Sequence, residues 1–271
     1  LAPLTVGKEF ASARELNAAI SHVKGNPFAK AAIEMAWWTL KADMEGKTLG
    51  QLLGATTDKV EVGDGWGICD SYDELIANIG KSFDEGYTRV KLKIAPGWDE
   101  KMLEAVRSVF PNQTIHVDGN SAYRYNEHAD LLKRLDRFHL AMIEQPFQVG
   151  DIYYHGKLQS QMDTPICLDE TITEPWQAEV AAEMKACKYI NIKPARVGGL
   201  QNSLDINEIC RQAGIGCWVG GMMESDIGKG ICTELAAIPI DNPSVSVIHG
   251  IIGGVALTFL QIILSLLSIK S

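Results

Sequence analysis

Three acidic residues, Asp118, Glu144 and Asp169, each follow directly on a short apolar run: Thr114-Ile115-His116-Val117, Ala141-Met142-Ile143 and Ile166-Cys167-Leu168. Lys93 closes an earlier run of the same kind, and Lys193 a later one. The intervals are 25 residues from Lys93 to Asp118, 26 on to Glu144, 25 on to Asp169 and 24 on to Lys193. Each step is the length of one strand plus one helix, which sets all five side chains at the same end of successive parallel strands. Carboxylates converging on one point repel one another, so pairing with cationic side chains or a hard divalent ion has to compensate. Oxygen donors suit Mg2+, with Mn2+ as the variant, and the lack of clustered His and Cys disfavours zinc. Singly, each carboxylate reads equally well as a helix N-cap or half of a surface ion pair. The common spacing is what favours one site.

Lysines complete the set. In Val90-Lys91-Leu92-Lys93-Ile94 the two-residue period of a strand puts Lys91 and Lys93 on one face and Val90, Leu92 and Ile94 on the other. Lys193, after Tyr189-Ile190-Asn191-Ile192, faces them across the same mouth. An ammonium beside a metal and a second ammonium, and partly desolvated, is expected to have its pKa lowered toward the range useful for a base. Bases on opposite faces of a substrate, with a metal holding its carboxylate, are what removal of a proton beside that carboxylate requires. The competing reading is a pair of surface lysines whose stems lie along apolar surface.

The elements that would position these residues are legible in the hydrophobic pattern. Residues 15–50 read as helices, with an apolar stripe through Phe28, Ala32, Ile33, Ala36 and Leu40 that ends near Gly46 and Gly50. From about Asp58 short β-rich runs alternate with amphipathic helices, the mark of a parallel sheet. Eight strands are expected at 60–68, 89–94, 114–117, 141–143, 165–168, 189–192, 216–219 and 244–248. Representative helices fall at 72–85, 100–109, 126–135, 174–184, 203–213 and 227–237. Eight such units give an α/β fold of the (β/α)8 TIM-type barrel class, in which every strand's C-terminal end opens into one mouth. An open doubly wound sheet would carry a Gly-rich phosphate loop opening a helix. Gly63-Asp64-Gly65-Trp66-Gly67 lies within a strand instead, and reads as backbone accommodation near a pocket or as nothing functional.

Composition narrows the partners. A net charge of -9 and a pI near 5.2 argue against nucleic acid, whose phosphates need clustered Lys and Arg, and favour a small carboxylate molecule. The six cysteines include no CxxC pair and mostly sit in apolar segments, which fits free thiols and a cytoplasmic location. The chain opens at Leu1 without a secretory signal pattern and reads as a fragment. At the other end 251–269 carries no charged residue. Thr258, Gln261, Ser265 and Ser268 form a narrow polar stripe along it, so an atypical last barrel helix is preferred to a membrane span.

The runs Val90-Lys91-Leu92-Lys93, Val117-Asp118-Gly119-Asn120, Ile143-Glu144-Gln145-Pro146-Phe147, Cys167-Leu168-Asp169-Glu170 and Asn191-Ile192-Lys193-Pro194-Ala195-Arg196-Val197-Gly198-Gly199 resemble the enolase superfamily. Within it they look most like the muconate-lactonizing-enzyme subgroup, in the branch of the o-succinylbenzoate synthases and N-acylamino acid racemases. The likeness runs from residue 1 to about 242. It implies that Asp118, Glu144 and Asp169 bind Mg2+, that Lys93 and Lys193 act at the reacting carbon, and that Lys91 supports Lys93. It also implies that Asn120, Asn191 and the segment holding Gly221, Met222, Glu224 and Ser225 contact substrate. The implied reaction is abstraction of a proton α to a carboxylate, giving an enediolate. A lyase performing the syn dehydration of menaquinone biosynthesis is preferred, with an N-acylamino acid racemase or dipeptide epimerase as alternative. A third reading is a silent barrel, because the family's N-terminal capping domain is represented only by its last helices. The implied division is 1–57 for that helical remnant, 58–250 for the catalytic barrel and 251–271 for the apolar tail, with homo-oligomerisation left open. The Asp64-Gly65-Trp66 run is bulkier and more polar than the family pattern and stands as a candidate alteration of the pocket.

Overall fold

The computed structural model describes residues 1–239 and the backbone of 246–249. Four helices come first: α1 (Ala2–Thr5), α2 (Ala13–Ile20), α3 (Pro27–Glu45) and α4 (Leu49–Leu53). Strands and helices then alternate: β1 (Glu61–Trp66), α5 (Tyr72–Asp84), β2 (Arg89–Lys93), α6 (Glu100–Val109), β3 (Thr114–Asp118) and α7 (Tyr125–Arg134). A 3-10 turn at Leu135–Phe138 leads to β4 (Ile143–Glu144), α8 (Tyr153–Gln159), β5 (Ile166–Leu168) and α9 (Pro175–Glu183). The series ends with β6 (Tyr189–Ile192), α10 (Leu200–Ala213), β7 (Gly216–Val219), α11 (Asp226–Ala236) and β8 (Ser246–His249). Every strand pair is parallel, in the order β7-β6-β5-β4-β3-β2-β1-β8, and β8 returns to lie close to β7. The architecture is the α/β, modified (β/α)8 barrel expected from the sequence.

The strand period divides the core in two. Val90, Leu92, Ile115, Val117, Ile143, Ile166, Leu168, Ile190, Ile192 and Val219 are buried between the sheet and the surrounding helices, with Leu75, Ile79, Met102, Leu103, Val106, Leu132 and Ile206 opposite them. Each such side chain contributes roughly 1.5–3 kcal/mol by leaving water. A separate small cluster of Met142, Cys167 and Trp218, with Tyr189 against it, lies on the other face, inside the barrel. Met142, Cys167 and Tyr189 are offset by two residues from Glu144, Asp169 and Asn191, so they form the floor beneath the inward polar residues.

Local signals account for most helix starts. Ser12, Ser71 and Ser225 accept from the backbone N–H of Glu15, Glu74 and Gly228, and Thr48 forms a capping box with Gln51. α10 is different, starting at Leu200, three residues before the expected Ser203. Its cap comes from Glu34 on α3, whose carboxylate accepts from the N–H groups of Leu200 and Gln201 at 2.7 Å each and from Trp38 Nε1 at 2.8 Å. Gly199, at φ +133°, is the residue over which that carboxylate lies, so neither its conformation nor its surroundings admit a side chain.

Three expectations are corrected. α3 forms, but its buried residues are Ala31, Glu34 and Ala42, with Met35 and Trp38 packed beside the core. The stripe through Phe28 and Leu40 lies outward, those two side chains being 50% and 59% exposed. Apolar residues occur nearly all round this helix, so the period identified a helix without identifying its inner face. α8 is an addition to the expected helices, its seven residues, with His155, Gly156 and Lys157 among them, carrying too little pattern to announce it. Asp64 and Trp66 face α5 and leave the pocket unaltered: Ser82 Oγ donates to Asp64 Oδ2 at 2.5 Å and accepts from Trp66 Nε1 at 2.8 Å. Gly63 and Gly65 take the inward positions of β1. Among the described residues no helix is long and apolar enough to cross a membrane, and the tail 251–269 lies outside them.

Candidate active site

Strand register brings the predicted carboxylates and lysines together. Lys93 pairs with Asp118, and Asp118 with Glu144, across β2, β3 and β4, while Asp169 and Lys193 immediately follow β5 and β6. All point to the inward face. Lys91 Nζ bridges two carboxylates, 3.1 Å from Asp118 Oδ2 and 3.2 Å from Glu144 Oε2. Lys93 Nζ donates to Asp118 Oδ2 at 2.6 Å and to Asn120 Oδ1. Across the mouth Lys193 Nζ donates to Asp169 Oδ2 at 2.7 Å. Asp118, Glu144 and Asp169 are buried, so this is no set of surface ion pairs or helix caps.

The electrostatics follow from burial plus proximity. Burial alone would raise the Glu144 carboxyl, but Lys91, Lys193, the Asn191 amide and Lys93 together hold it below its ordinary range. Lys91 departs from the expected lowering. Desolvation pulls its pKa down, and the charges of Glu144 and Asp118, with hydrogen bonds to both, overcome that and drive it up. A divalent cation on the same carboxylates would withdraw that support, so the direction for Lys91 depends on what else the carboxylates bind.

The donor set consists of carboxylate oxygens on three consecutive strands, which fits a hard divalent ion and not a soft one. Their present neighbours are ammonium and guanidinium groups, and among the described residues no three His, Cys, Asp or Glu side chains are already closed into a metal cage. Binding an ion here would therefore mean exchanging ammonium contacts for metal contacts.

Several residues that the sequence reading did not single out belong to the same constellation. Arg196 is buried and donates to Asp169 Oδ1, to the Asn191 carbonyl and to the Ile172 carbonyl, the last at 2.8 Å. Burial pushes its pKa down to about 10, against the pull of Glu144 and Cys167. It lies three residues past Lys193 in the same motif, which was the available signal. His116, two residues before Asp118 and so on the same face, is fully buried, with neither ring nitrogen hydrogen-bonded among the described residues. Burial, with Arg89 and Lys91 nearby, keeps it neutral by lowering its pKa well below the usual value. Trp218 lies against His116 in this floor, with Lys91 Nζ 5.2 Å and the Arg89 guanidinium 5.7 Å from its ring centre.

Of the expected substrate contacts, two join the cluster. Asn120 lies against Lys93, and Asn191 Nδ2 donates to Glu144 Oε1 at 2.7 Å while its Oδ1 is buried without a partner among the described residues. Gly220 approaches Asn191 so closely that a Cβ there would collide with the amide. Gly221, Met222, Glu224 and Ser225 lie on the loop after β7, at the same end of the barrel but with no hydrogen bond to the cluster among the described residues. Met222 is 44% exposed at that rim, Glu224 Oε1 accepts from the Met222 N–H at 3.1 Å, and Ser225 is engaged in capping α11.

The chain is similar to known proteins over most of its length. The family model described as "Enolase C-terminal domain-like" matches residues 74–250. An N-succinylamino acid racemase of Thermus thermophilus is 42% identical over 237 residues, covering 88% of this chain and 64% of that protein. An o-succinylbenzoate synthase of Bacillus subtilis is 41% identical over 237 residues, covering 88% and 63%. The chain thus spans less than two thirds of either relative's length. A crystal structure of an enolase-superfamily member from Enterococcus faecalis V583 superposes with a TM-score of 0.84 at 37% identity, over 90% of this chain and 66% of that one.

Proposed function

The chain belongs to the enolase C-terminal domain-like family, and from that premise we propose that its barrel mouth is a Mg2+-dependent site for abstracting a proton α to a carboxylate. The observation that carries this reading is the placement of three buried carboxylates on consecutive strands, with Lys91 and Lys93 on one side and Lys193 on the other. Asp118, Glu144 and Asp169 would hold the ion, Mg2+ in the first place and Mn2+ as a substitute. Bound there, the ion supplies positive charge that holds the substrate carboxylate and stabilises the charge developing on it.

The chain's own groups do the rest. Lys93 removes the α proton from one face, and Lys91 adds positive charge to the enediolate side. For o-succinylbenzoate synthesis, the preferred reaction, Lys93 then returns that proton to the departing hydroxyl, while Lys193 stands as a cation over the intermediate. For racemisation of an N-succinylamino acid, Lys193 delivers a proton to the opposite face. The two-sided placement of Lys93 and Lys193 supports this second reading, as does the similarity to the racemase. Asn120, Asn191 and the loop residues Gly221, Met222, Glu224 and Ser225 are assigned to substrate contact. Residues 1–57 are read as the helical end of a capping domain, and 58–250 as the catalytic barrel.

The test is turnover of 2-succinyl-6-hydroxy-2,4-cyclohexadiene-1-carboxylate against N-succinyl amino acids, each with Mg2+ and with a chelator. Mg2+-dependent product from either one supports the reading and names the reaction. Conversion unaffected by chelation rejects the metal, and no conversion of either rejects both substrate assignments.

A further inference from the structure

Glu170 directly follows Asp169 and has no part in the roles assigned above. Its Oε1 accepts from Asn120 Nδ2 at 2.9 Å, and its Oε2 is buried without a partner among the described residues. A carboxamide has one donor end and one acceptor end, whereas an ionised carboxylate only accepts. Glu170 therefore fixes the Asn120 amide with its NH2 toward itself and its Oδ1 toward Lys93, whose Nζ donates to that oxygen. The Asn120 main chain is pinned too: its N–H donates to Asp118 Oδ1 at 2.9 Å and its φ is +38°, a left-handed conformation that asparagine tolerates. Lys93 needs such support. Its side chain is 36% exposed, against 12% for Lys91 and 13% for Lys193, and its described polar partners are Asp118 and Asn120.

We propose that Glu170 is a positioning residue that, by orienting the Asn120 amide, holds the Lys93 ammonium where it reaches one face of the substrate. The consequence for catalysis rests on Lys93 acting as a base; the geometric part does not. With alanine at 170 the amide is free to turn its NH2 toward the ammonium, leaving two donors face to face and Lys93 held by Asp118 alone. Glutamine at 170 keeps a carbonyl that can accept from Asn120.

Two measurements on the whole chain separate these parts. In protein labelled with 15N-lysine, with the Lys93 Nζ signal assigned by its loss in Lys93→Arg, Glu170→Ala is expected to shift or broaden that signal and to leave that of Lys193 in place. Glu170→Gln restores it. In D2O with Mg2+, α-hydrogen exchange is then followed from each enantiomer of an N-succinylamino acid. Glu170→Ala is expected to slow exchange about tenfold or more for the enantiomer that depends on Lys93, and by less than about twofold for the one that depends on Lys193, because only one base loses its alignment. Glu170→Gln stays within about threefold of wild type on both. Equal losses for the two enantiomers would mean a general structural role and overturn the proposal. Absence of exchange in the wild type sinks the proton-abstraction reading instead, and the Lys93 signal alone then decides: if Glu170→Ala leaves it unmoved, the positioning role is wrong.

Discussion

Asp118, Glu144 and Asp169 are buried inside the barrel beside four cations, Lys91, Lys93, Lys193 and Arg196, each within hydrogen-bond reach of a carboxylate oxygen. Buried charge on that scale costs several kcal/mol per ion unless paired, so the arrangement stores a ready exchange of ammonium contacts for a divalent ion. Both oxygens of Glu144 are engaged, one by Lys91 and the other by Asn191. Calorimetry of Mg2+ added to wild type is expected to give a saturable heat, and Glu144→Gln, which removes the negative charge and one of the two oxygen donors at that position, is expected to weaken it by at least about tenfold. Equal heats would mean that the three carboxylates do not act as one site. These residues were legible from the sequence because strand periodicity and unit length are both local. The inward rank two residues deeper was equally available, and His116, Met142 and Cys167 could have been named from parity alone. Arg196 was harder, because nothing in its spacing says that a chain reversal after Lys193 turns its guanidinium back onto Asp169.

At the scale of elements, the strands and most helices followed from pattern, and the misses share one cause: contacts between segments far apart in sequence. Glu34 is 166 residues from Leu200, yet it decides where α10 begins. A glutamate in a helix otherwise rich in apolar residues gives no sign of being the buried one, and so the inner face of α3 could not be read locally. Glu34→Ala strips the acceptor from two backbone N–H groups and from Trp38, and is expected to cost about 2–4 kcal/mol by chemical denaturation, the penalty for buried donors left unmet. A cost below about 0.5 kcal/mol would contradict the cap. His155 on α8 gives a pH signature. Its Nε2 accepts from the Phe147 N–H at 3.2 Å while Nδ1 faces the Asp151 carbonyl, an arrangement that only the neutral ring satisfies. Burial pushes its pKa down from 6.5 to about 4, so the folded state binds this proton less readily than the unfolded chain. The stability it contributes is present above pH 6.5 and is lost as pH falls toward 4, by about 3 kcal/mol in all. His155→Gln should flatten that part of the stability profile. An unchanged slope would assign the loss to other groups.

For the whole molecule, a curled sheet of parallel strands turns a one-dimensional interval of 24 to 26 residues into a single convergent mouth. The helical segment is tied to that barrel by Glu34 on α10, by Arg14 paired with Asp205 of α10, and by Glu234 of α11, whose Oε2 accepts from the Gly50 N–H at 2.6 Å. The barrel thus has the carboxylates and both lysine faces, while the chain spans 64% of the racemase and 63% of the synthase that it resembles. Whether proton abstraction proceeds on this span alone is the central claim, and one experiment reaches it without choosing between the two overall reactions. Exchange of the α-hydrogen of N-succinyl amino acids and of o-succinylbenzoate precursors is followed by NMR in D2O, with Mg2+ and with a chelator, for wild type and for Lys93→Ala combined with Lys193→Ala. Mg2+-dependent exchange is expected in the wild type, with a loss of at least about a thousandfold in the double variant, the scale expected when the proton acceptors are removed. Exchange that persists without Mg2+, or that survives removal of both lysines, would contradict that claim.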